Sequence, residues 1–386
     1  MITKLGSVIT EYAVRNKHDE DIPVYSVTNE QGFCTGYFSK DVASKDRTTY
    51  KIVPRGYFAY NPSRINVGSV DWQDCQDRVI VSPLYVVFGV DEKLDQQYLL
   101  HYLKSDITLT YIKALATGSV RDNLKFSILQ EFPINLRPIE EQRKIASVLD
   151  RIDRVIALRN EELETLDNLV KSRFIELFGD PEHNEKQWAV LKLETLCSVS
   201  SSKRIYQNEL SAEGVPFLRI SDLVNRMDTG STECELYIPE ERYEELKVSG
   251  LVPVAGDMLL TARGTLGRCY TLTASDKFYF QDGMITWLYG FDKKLTTNYL
   301  THLFSMSGFR KQIDSLQAGS TVAYLSIAMT KKLDVMLPPI ELQNQFATFV
   351  EQTEKSKYYS RLSLALCRVS ATLFGQEWMK CQTSNS

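Results

Sequence analysis

Between residues 138 and 178, apolar residues recur at alternating steps of four and three positions. This spacing is the heptad pattern of a helix that pairs with another helix along an apolar seam. Pro138 suits the first helical turn, and Gly179 and Pro181 suit a helix end. A helix over 138–179 would be roughly 60 Å long at 1.5 Å per residue. The pattern therefore predicts a spacer helix that is longer than a globular core needs. The apolar seam residues are Ile145, Leu149, Ile152, Ile156, Leu163, Leu166, Val170 and Leu177.

Two arginines, Arg159 and Arg173, occupy the seam positions that are not apolar. Their aliphatic stems could lie along the seam while the guanidinium groups reach water, which is the interpretation we favour. Alternatively, they could pair with acidic residues of a partner helix, such as Glu351 or Glu354, and so fix the register of the pair.

The chain contains two copies of one unit. Residues 1–137 and 180–337 each predict a mixed α/β, strand-rich domain, because short runs rich in Val, Ile and Tyr are bounded by Gly, Pro and Asn. Each is followed by a heptad segment, and the period of about 200 residues is far beyond that of a solenoid repeat. We interpret the repeated histidines as packing residues of amphipathic helices. Pairs that lie 201 residues apart are His101 and His302, Gly118 and Gly319, Leu124 and Leu325, Pro138 and Pro339, and Gln142 and Gln343.

The second heptad segment, residues 338–375, is shorter than the first and precedes a polar tail at 376–386. The sequence LFG ends both segments, but its two copies are 196 residues apart rather than 201. Five missing residues rotate a helix by roughly 140° net, which would displace its apolar face. We therefore expect a break, a kink or a phase change within Glu354–Arg361. The apolar residues beyond it are Leu362, Leu366, Val369 and Leu373. The polar seam residues between these and the earlier Phe346 and Val350 are Thr353, Lys357 and Ser360.

Two long helices that each follow a globular domain pair most simply as an antiparallel coiled coil, because a parallel pair needs a crossover as long as the helix. The predicted fold class is α+β, with two similar domains, two spacer helices and a pseudo-two-fold axis. B-DNA has local two-fold axes, and two-fold proteins read two half-sites. Two similar but unequal domains would read unequal half-sites, and the helix length would set the gap between them.

Composition restricts the partners. The net charge is −4 and no part of the chain is strongly basic, whereas a free-standing nucleic-acid binder usually has a basic domain. We therefore expect weak DNA binding by the isolated chain, with partner subunits supplying further phosphate contacts. The seven cysteines and four histidines lack metal-ligand spacing, which predicts reduced thiols and no metal site. The sequence has no long apolar run and no signal-peptide core, so we expect a cytoplasmic protein without a membrane partner.

Six motifs, taken in order, carry a family resemblance. With them, the chain resembles the specificity (S) subunit of type I restriction–modification systems over nearly its whole length. No single motif would suffice; the alternation of domain, spacer helix, domain and spacer helix makes the resemblance specific. The motifs are YNPSRINVGSV at 60–70, TGSVRDNLKF at 117–126, PIEEQRKIASVLDRID at 138–153, VPFLRISDL at 215–223, AGDMLLTARGTLG at 255–267 and LPPIELQNQFATFV at 337–350.

The resemblance implies a division of labour among subunits. Each globular domain would be a target-recognition domain that reads about half of a bipartite site in double-stranded DNA. Two modification (M) subunits would bind the spacer helices, carry S-adenosylmethionine and methylate adenine N6. Restriction (R) subunits would add ATP- and Mg-dependent translocation and cleavage. The chain itself would have no catalytic residue and no cofactor.

Arg, Lys, Asn and Ser side chains in loops are the candidates for DNA contact, since arginine pairs with guanine, and asparagine or glutamine with adenine. The alternative is that YNPSR and LTARG are structural turns, which Pro62 and Gly264 would favour. In the first domain the candidates are Asn61, Ser63, Arg64, Ser119, Arg121, Asn123 and Lys125. In the second domain they are Lys203, Arg204, Arg219, Arg263, Ser320, Thr321 and Tyr324.

Two other functions are alternatives to DNA recognition. Asn61-Pro62-Ser63-Arg64 resembles the Asn-Pro-Pro-aromatic motif of adenine methyltransferases, which hold a flipped base. It lacks both the third-position proline and the aromatic residue, and no glycine-rich loop follows a strand to hold a cofactor. An intrinsic methyltransferase is therefore disfavoured. A purely structural scaffold with coiled-coil arms is the other alternative, and variants of Arg64 and Arg121 would exclude it.

Overall fold

The computed structural model of the chain describes residues 2–35, 47–116, 123–317 and 323–380. The chain divides into two compact units, the first of Met1–Glu161 with Ser360–Ser386 and the second of Glu162–Tyr359. Within the described ranges, no helix combines the length and the apolar character that crossing a membrane requires.

The first unit is built mainly from short strands. Its strands are β1 (Ile2–Lys4), β2 (Ile9–Glu11), β3 (Ser26–Thr28), β4 (Gly32–Cys34), β5 (Lys51–Pro54), β6 (Phe58–Tyr60), β7 (Val70–Trp72), β8 (Arg78–Val81), β9 (Val86–Val90) and β10 (Pro133–Asn135). Its helices are α1 (Gln96–Lys104), α2 (Asp106–Ala116), α3 (Phe126–Leu129), the part of α4 (Ile139–Phe178) up to residue 161 and the part of α10 (Ile340–Lys380) from residue 360.

The second unit begins at Glu162, within α4, and ends at Tyr359, within α10. Its strands are β11 (Ala189–Lys192), β12 (Ser198–Ser200), β13 (Val215–Leu218), β14 (Tyr237–Ile238), β15 (Met258–Thr261), β16 (Cys269–Thr271), β17 (Tyr279–Phe280), β18 (Ile285–Tyr289) and β19 (Asp334–Leu337). Its helices are α5 (Ile220–Thr229), α6 (Glu240–Val248), α7 (Thr297–Ser305), α8 (Ser307–Ser315), α9 (Ile327–Lys331) and most of the first half of α10 (Ile340–Lys380).

The two units share one scaffold. Each has a four-stranded antiparallel sheet, in the order β2-β9-β6-β7 in the first and β12-β18-β15-β16 in the second. A two-stranded antiparallel pair closes each unit, β1 with β10 and β11 with β19. Helices α1, α2 and α3 come at the same point in the order of elements of the first unit as α7, α8 and α9 do in the second. This correspondence confirms the predicted repeat of two similar mixed α/β domains.

The two units differ in the strands and helices that are inserted between the strands of the shared sheet. The first unit adds the β3–β4 hairpin and the antiparallel pair β5–β8. The second adds the sheet β14-β13-β17, in which β13 and β17 run parallel, together with α5 and α6. The repeated elements therefore form the scaffold, and the insertions distinguish the two units.

Gln142 and Gln343 join each spacer helix to its own unit in the same way. Gln142 Oε1 accepts the Asp95 N–H at 2.9 Å, and its Nε2 donates to the carbonyls of Lys93 and Arg137 at 2.7 and 2.8 Å. Both glutamine side chains are fully buried. Because a buried amide must find partners, each glutamine acts as a clamp between its helix and the loop before α1 or α7. The Gln343 clamp binds the Thr296 N–H and the carbonyls of Lys294 and Pro338, at 2.9, 2.8 and 2.9 Å.

Helix α4 ends at Phe178, as its glycine predicted. Gly179 has a left-handed φ of 81°, a conformation that costs glycine little. The last carbonyls of the helix are satisfied from outside it. Lys186 Nζ donates to the carbonyls of Glu176 and Leu177, and Trp188 Nε1 donates to that of Phe178 at 2.8 Å.

Within the second unit, α4 and α10 pair in antiparallel fashion. Asp167 lies 2.6 Å from Lys357 Nζ, whereas Phe174 and Phe178, further along α4, contact Phe346, earlier in α10. Rising numbers on one helix thus meet falling numbers on the other. The predicted seam positions of α4 from Ile145 to Leu177 are all buried or half-buried, as a heptad seam requires.

Of the break, kink or phase change expected within Glu354–Arg361, the break and the phase change of the buried face are wrong, and the kink stays a prediction. Helix α10 is continuous from Ile340 to Lys380, which is five residues beyond the predicted end at 375. Its buried positions keep the alternating steps of four and three through the segment, so the phase of the buried face does not change. Leu362, Leu366 and Val369 lie off this seam and are 46–61% exposed. The buried seam residues are Phe346, Val350, Thr353, Lys357, Ser360 and Leu364.

The seam stays in phase because its polar residues find partners. The Lys357 side chain is 6% exposed, and its ammonium lies 2.6 Å from Asp167 and 2.7 Å from Glu354. Burial alone would lower the pKa of Lys357, but the hydrogen bonds to the two carboxylates raise it overall. The Thr353 hydroxyl donates to the Phe349 carbonyl at 2.9 Å. Lys357, a charged residue, therefore occupies a seam position that the heptad pattern would give to an apolar residue.

Arg173, one of the two seam arginines, has its ion pair within its own helix. Its Nη1 pairs with Glu176 of its own helix at 2.7 Å, and its guanidinium lies 5.8 Å from the centre of the Phe349 ring. Glu351, one of the proposed partners across the coiled coil, pairs with Lys355 at 3.0 Å.

The repeated histidines occupy equivalent positions but have different contacts. His101 Nε2 lies 2.8 Å from Asp150 on α4, and its Nδ1 lies 3.7 Å from Asp153. His302 is packed edge-on against the Phe346 ring, with centroids 5.1 Å apart. Each histidine thus packs its domain helix against a spacer helix, the first through a hydrogen bond to a carboxylate and the second through an aromatic contact.

His302 makes the second unit sensitive to acid. Burial lowers the pKa of His302 from 6.5 to about 4, and the charge of Lys357 adds to the lowering while Glu354 opposes it. The unfolded chain therefore binds a proton near pH 6.5 that the folded chain binds only near pH 4. Stability is complete above pH 6.5 and falls as the pH drops through this window.

We expect the free energy of unfolding of the second unit to decrease by about 2 kcal/mol between pH 7 and pH 5 because of this histidine. Urea unfolding at the two pH values measures the change. His302→Leu should remove most of it, and the exposed His18→Leu should not. An equal pH dependence in His302→Leu and the wild type would refute the assignment.

Candidate nucleic-acid interface

In the first unit, two candidate loops lie side by side. The loop after β6 carries Asn61, Ser63 and Arg64, and the loop before α3 carries Asn123 and Lys125. The Leu124 N–H donates to the Pro62 carbonyl at 3.1 Å, and the Tyr60 hydroxyl donates to the Leu124 carbonyl, also at 3.1 Å. These bonds bring residues more than 60 positions apart in the chain onto one edge of the unit. The five candidates are half-buried or exposed.

The second unit repeats this arrangement. The Leu325 N–H donates to the Ala262 carbonyl at 3.0 Å, just as Leu124 binds Pro62. Arg263 and Tyr324 form an isolated antiparallel bridge, and the guanidinium lies 4.9 Å from the centre of the tyrosine ring. The loop after the β15 strand and the loop before α9 are therefore joined as in the first unit.

Asn61 supports the turn interpretation of its motif as well as a surface role. Its Oδ1 accepts the Ser63 N–H at 3.1 Å and the Ser63 hydroxyl at 3.3 Å, which is an Asx turn. The turn leaves Arg64 exposed beyond it. Asn61 and Ser63 therefore shape the loop, and Arg64 is its outward-facing cation.

The candidate cations fall into two groups. Arg64, Lys125, Lys203 and Arg263 are exposed, and among the residues that the structure describes none of them has a carboxylate within 4 Å. Cations without a carboxylate partner are available to phosphates or base edges. This group has members in both units.

Arg204 and Arg219 belong to the second group, since both are engaged by carboxylates. Arg204 pairs with Asp282 at 2.9 Å. Arg219 pairs with Asp222 and Glu235 at 3.2 and 2.8 Å, and the hydrogen bonds that its guanidinium donates to these two carboxylates raise its pKa. Arg219 also precedes α5, where its N–H donates to Asp222. These contacts give both arginines a role in positioning their loops.

The main chain of Lys203, and not its side chain, makes the hydrogen bond that fixes this residue. Its N–H donates to the Tyr279 hydroxyl at 2.8 Å, which leaves the ammonium group exposed. Four other candidates, Ser119, Arg121, Ser320 and Thr321, lie outside the described residues.

Sequence reasoning missed a cleft beside Arg64. It has a volume of about 410 Å³ and is lined by the β3–β4 hairpin, by Asn61 and Arg64, and by Val67, Ser69 and Tyr85. The sequence TNEQG between β3 and β4 is a turn signal, but nothing local in the sequence places it near residue 64. The hairpin thus joins the candidate interface only through tertiary packing.

In the part of the chain that the structure describes, one group of potential metal ligands follows α4. The ligand atoms of Asp180, Glu182 and His183 lie within 4.8 Å of one another. They already serve the loop, since Asp180 accepts the Glu182 N–H at 2.9 Å and Glu182 pairs with Lys311 at 2.6 Å. We assign no metal to them.

Comparison with known proteins agrees with this geometry. A family model for the type I restriction modification DNA specificity domain matches residues 7–168 and 185–358. The two matches divide the chain much as the repeat does, with one match for each copy of the scaffold.

Individual proteins give the same result. A Haemophilus influenzae protein named as a type I restriction enzyme specificity subunit is 27% identical over 279 residues, covering 70% of this chain and 67% of that protein. The MjaVIII specificity subunit of Methanocaldococcus jannaschii is 23% identical and covers 66% of this chain and 62% of that protein. The alignments thus span about two thirds of these relatives or less.

Solved structures share the fold over almost the full length. The S subunit of a type I restriction–modification system from M. genitalium superposes with a TM-score of 0.57 at 15% identity, covering 98% of this chain and 95% of that one. A chain from a study of assembly in a type I system gives the same TM-score at 16% identity, covering 98% and 97%. With two matched specificity domains on a shared scaffold, the chain belongs to the family of DNA specificity subunits of type I restriction–modification systems.

Proposed function

We propose that this chain reads a bipartite DNA site with two target-recognition domains, residues 1–137 and 180–337, and sets the gap with spacer helices at 138–179 and 338–375. The observation that carries the proposal is the pair of matched loop junctions. Each presents an exposed arginine in the loop after the corresponding strand, Arg64 two residues after Pro62 and Arg263 one residue after Ala262. Residues 376–386 would form a tail beyond the second spacer.

The chemistry belongs to partner subunits. Members of this family recognise DNA and are not catalytic, so the chain directs reactions carried out elsewhere in the complex. Two modification subunits would bind the spacer helices and supply S-adenosylmethionine for adenine N6 methylation. Restriction subunits would supply ATP-dependent cleavage.

The candidate contacts divide by expected role. Exposed cations without carboxylate partners would bind base edges or phosphates, and polar residues of the same loops would support them. Arg204 and Arg219 would position loops through their carboxylate partners. The base-reading or phosphate-binding residues are Arg64, Lys125, Lys203 and Arg263, with Arg121 from outside the described residues. The supporting residues are Asn61, Ser63, Ser119, Asn123, Ser320, Thr321 and Tyr324.

Arg64→Ala should relax the first half-site and leave the second unchanged, and Arg263→Ala should do the reverse. A bidentate arginine–guanine pair contributes about 1–3 kcal/mol of discrimination, so other bases should be accepted at one position of the affected half-site. Methylome sequencing of cells that express each variant with the modification subunits measures both half-sites and the gap. Each variant is the control for the other.

Loss of methylation at an unchanged motif in both variants would indicate phosphate contacts only and would contradict base reading by these arginines. Normal methylation at an unchanged motif in both would exclude the loop junctions from the interface. A scaffold without recognition domains predicts that second result.

A further inference from the structure

The tip of the β3–β4 hairpin presents three polar side chains beside Arg64. Asn29, Glu30 and Gln31 are exposed, and all three line the cleft of about 410 Å³ together with Asn61 and Arg64. No described residue forms a hydrogen bond or an ion pair with the side-chain polar atoms of these three residues. Their hydrogen-bonding groups are therefore available to a ligand.

The hairpin is held rigidly against the sheet that carries Arg64. The Ser69 hydroxyl donates to the Val27 carbonyl at 2.7 Å, and the Val27 N–H donates to the Tyr85 hydroxyl at 3.4 Å. On the second strand, the Phe33 N–H donates to Asp71 at 3.2 Å. Both strands of the hairpin are thus fixed to neighbouring elements, which positions the tip before any ligand binds.

Two glycines permit the close approach of the tip. Gly32 has φ +61°, so the chain can turn at the end of the hairpin. Gly68 has φ +86°, and a Cβ at this position would lie 2.4 Å from Asn29 Oδ1. The Asn29 side chain therefore packs directly on the loop that follows Arg64. The Thr28 hydroxyl accepts the Gln31 N–H at 3.0 Å and closes the turn.

The hairpin belongs to the part of the first unit that the second does not repeat. Between β12 and β15 the second unit carries β13, β14, α5 and α6 where the first carries β3, β4 and β5. Two domains that read different half-sites need the same scaffold and different reading elements. The insertions are where that difference can lie.

The chemistry of the tip favours bases over phosphates. A carboxylate such as Glu30 is repelled by phosphate but accepts a hydrogen bond from cytosine N4. Asparagine and glutamine pair with adenine, and arginine pairs with guanine. The major groove is wide enough to admit a two-stranded β-ribbon. A polar hairpin tip next to an exposed arginine has both the shape and the groups that this groove requires.

We propose that the β3–β4 hairpin enters the major groove of the first half-site and that Asn29, Glu30 and Gln31 read base edges next to the base read by Arg64. This inference rests on the proposed function. It adds specificity-determining residues on an element that the recognition motifs do not include.

The test is methylome sequencing of Gln31→Ala and Glu30→Gln, each expressed as the full chain with modification subunits. We expect discrimination to fall about tenfold at one or two positions of the first half-site, while the second half-site and the gap remain unchanged. Glu92→Gln, which alters an exposed carboxylate in the turn after β9, is the matched control and should leave the motif intact.

The outcomes separate this inference from the proposed function. If Arg64→Ala relaxes the first half-site and both hairpin variants leave it unchanged, the hairpin does not read bases and the proposed function stands. If neither Arg64→Ala nor the hairpin variants change the first half-site, then base reading by the hairpin and base reading by Arg64 are both wrong. A fall in methylation at an unchanged motif would also overturn base reading by the hairpin, and thermal unfolding of the purified variants would show whether the fold is the cause.

Discussion

Gln142→Leu is expected to lower the free energy of unfolding of the first unit by about 3 kcal/mol or more, because each buried polar group left without a partner costs about 1–3 kcal/mol. The variant removes the side-chain partner of the Asp95 N–H among the described residues, and one partner each from the Lys93 and Arg137 carbonyls. Leucine has nearly the same volume but cannot bond to any of them. Urea unfolding measures the total effect, and hydrogen exchange at residues 93–95 measures the local one.

Lys144→Leu is the matched control, since it places the same side chain at an exposed position of the same helix. Gln343→Leu should have a similar effect in the second unit, where the equivalent bonds are made. If Gln142→Leu costs no more than Lys144→Leu, the clamp does not stabilise the joint.

Phe174→Ala should cost the second unit about 3–5 kcal/mol, the range for deleting a buried aromatic side chain. The Phe174 ring stacks on Tyr299 with centroids 5.5 Å apart and an interplanar angle of 10°. It also meets the edges of Phe178 and Phe346, at 4.9 and 5.5 Å. All four rings are fully buried, so the deletion opens a cavity where α4, α7 and α10 pack together.

Ile175→Ala tests whether the cost is specific to the cluster, because Ile175 is the next residue and is 42% exposed. It should lose less than about 1 kcal/mol, as surface substitutions do. In the complex, Phe174→Ala should reduce methylation without changing which bases are read. Altered base preference in this variant would mean that the cluster takes part in recognition, contrary to our proposal.

The heptad helix and the repeat could be predicted because both depend on local or periodic information. The seam of α4 follows from the spacing of its apolar residues, and its end follows from Gly179. The repeat at 201 residues identified equivalent loops, and the structure joins Leu124 to Pro62 as it joins Leu325 to Ala262. Sequence position was therefore sufficient to predict equivalent structural elements where similar residues recur at a constant spacing.

The error at Glu354–Arg361 has a physical cause. The prediction assumed that the buried face of α10 follows its apolar residues. The helix instead buries Lys357, because Asp167 of the other helix and Glu354 of its own satisfy the charge. A charged residue can be buried in a helix–helix seam when oppositely charged residues pair with it. Which residue of the other helix lies close enough to pair depends on the register of the two helices, and the sequence of one helix alone does not determine that register.

The hairpin was missed for a related reason. Its turn could be recognised locally, but its place beside Arg64 depends on bonds from Ser69, Asp71 and Tyr85 to the hairpin backbone. Those contacts link residues 38 to 58 positions apart, and no repeat pointed to them because the second unit lacks the hairpin. Comparing the two repeated units locates the elements that they share. It cannot locate an element, such as this hairpin, that only one of them has.

The two glutamine clamps have a consequence for how new sequence preferences can arise. All the bonds of Gln142 go to main-chain atoms, as do three of the four bonds of Gln343. The glutamine clamp is therefore nearly independent of the side chains in the attached domain, whereas contacts such as His101–Asp150 and His302–Phe346 are not. Recombination could replace one domain with another of the same backbone geometry and leave the clamp intact. A new domain would then need to supply only the side-chain contacts to the spacer helix.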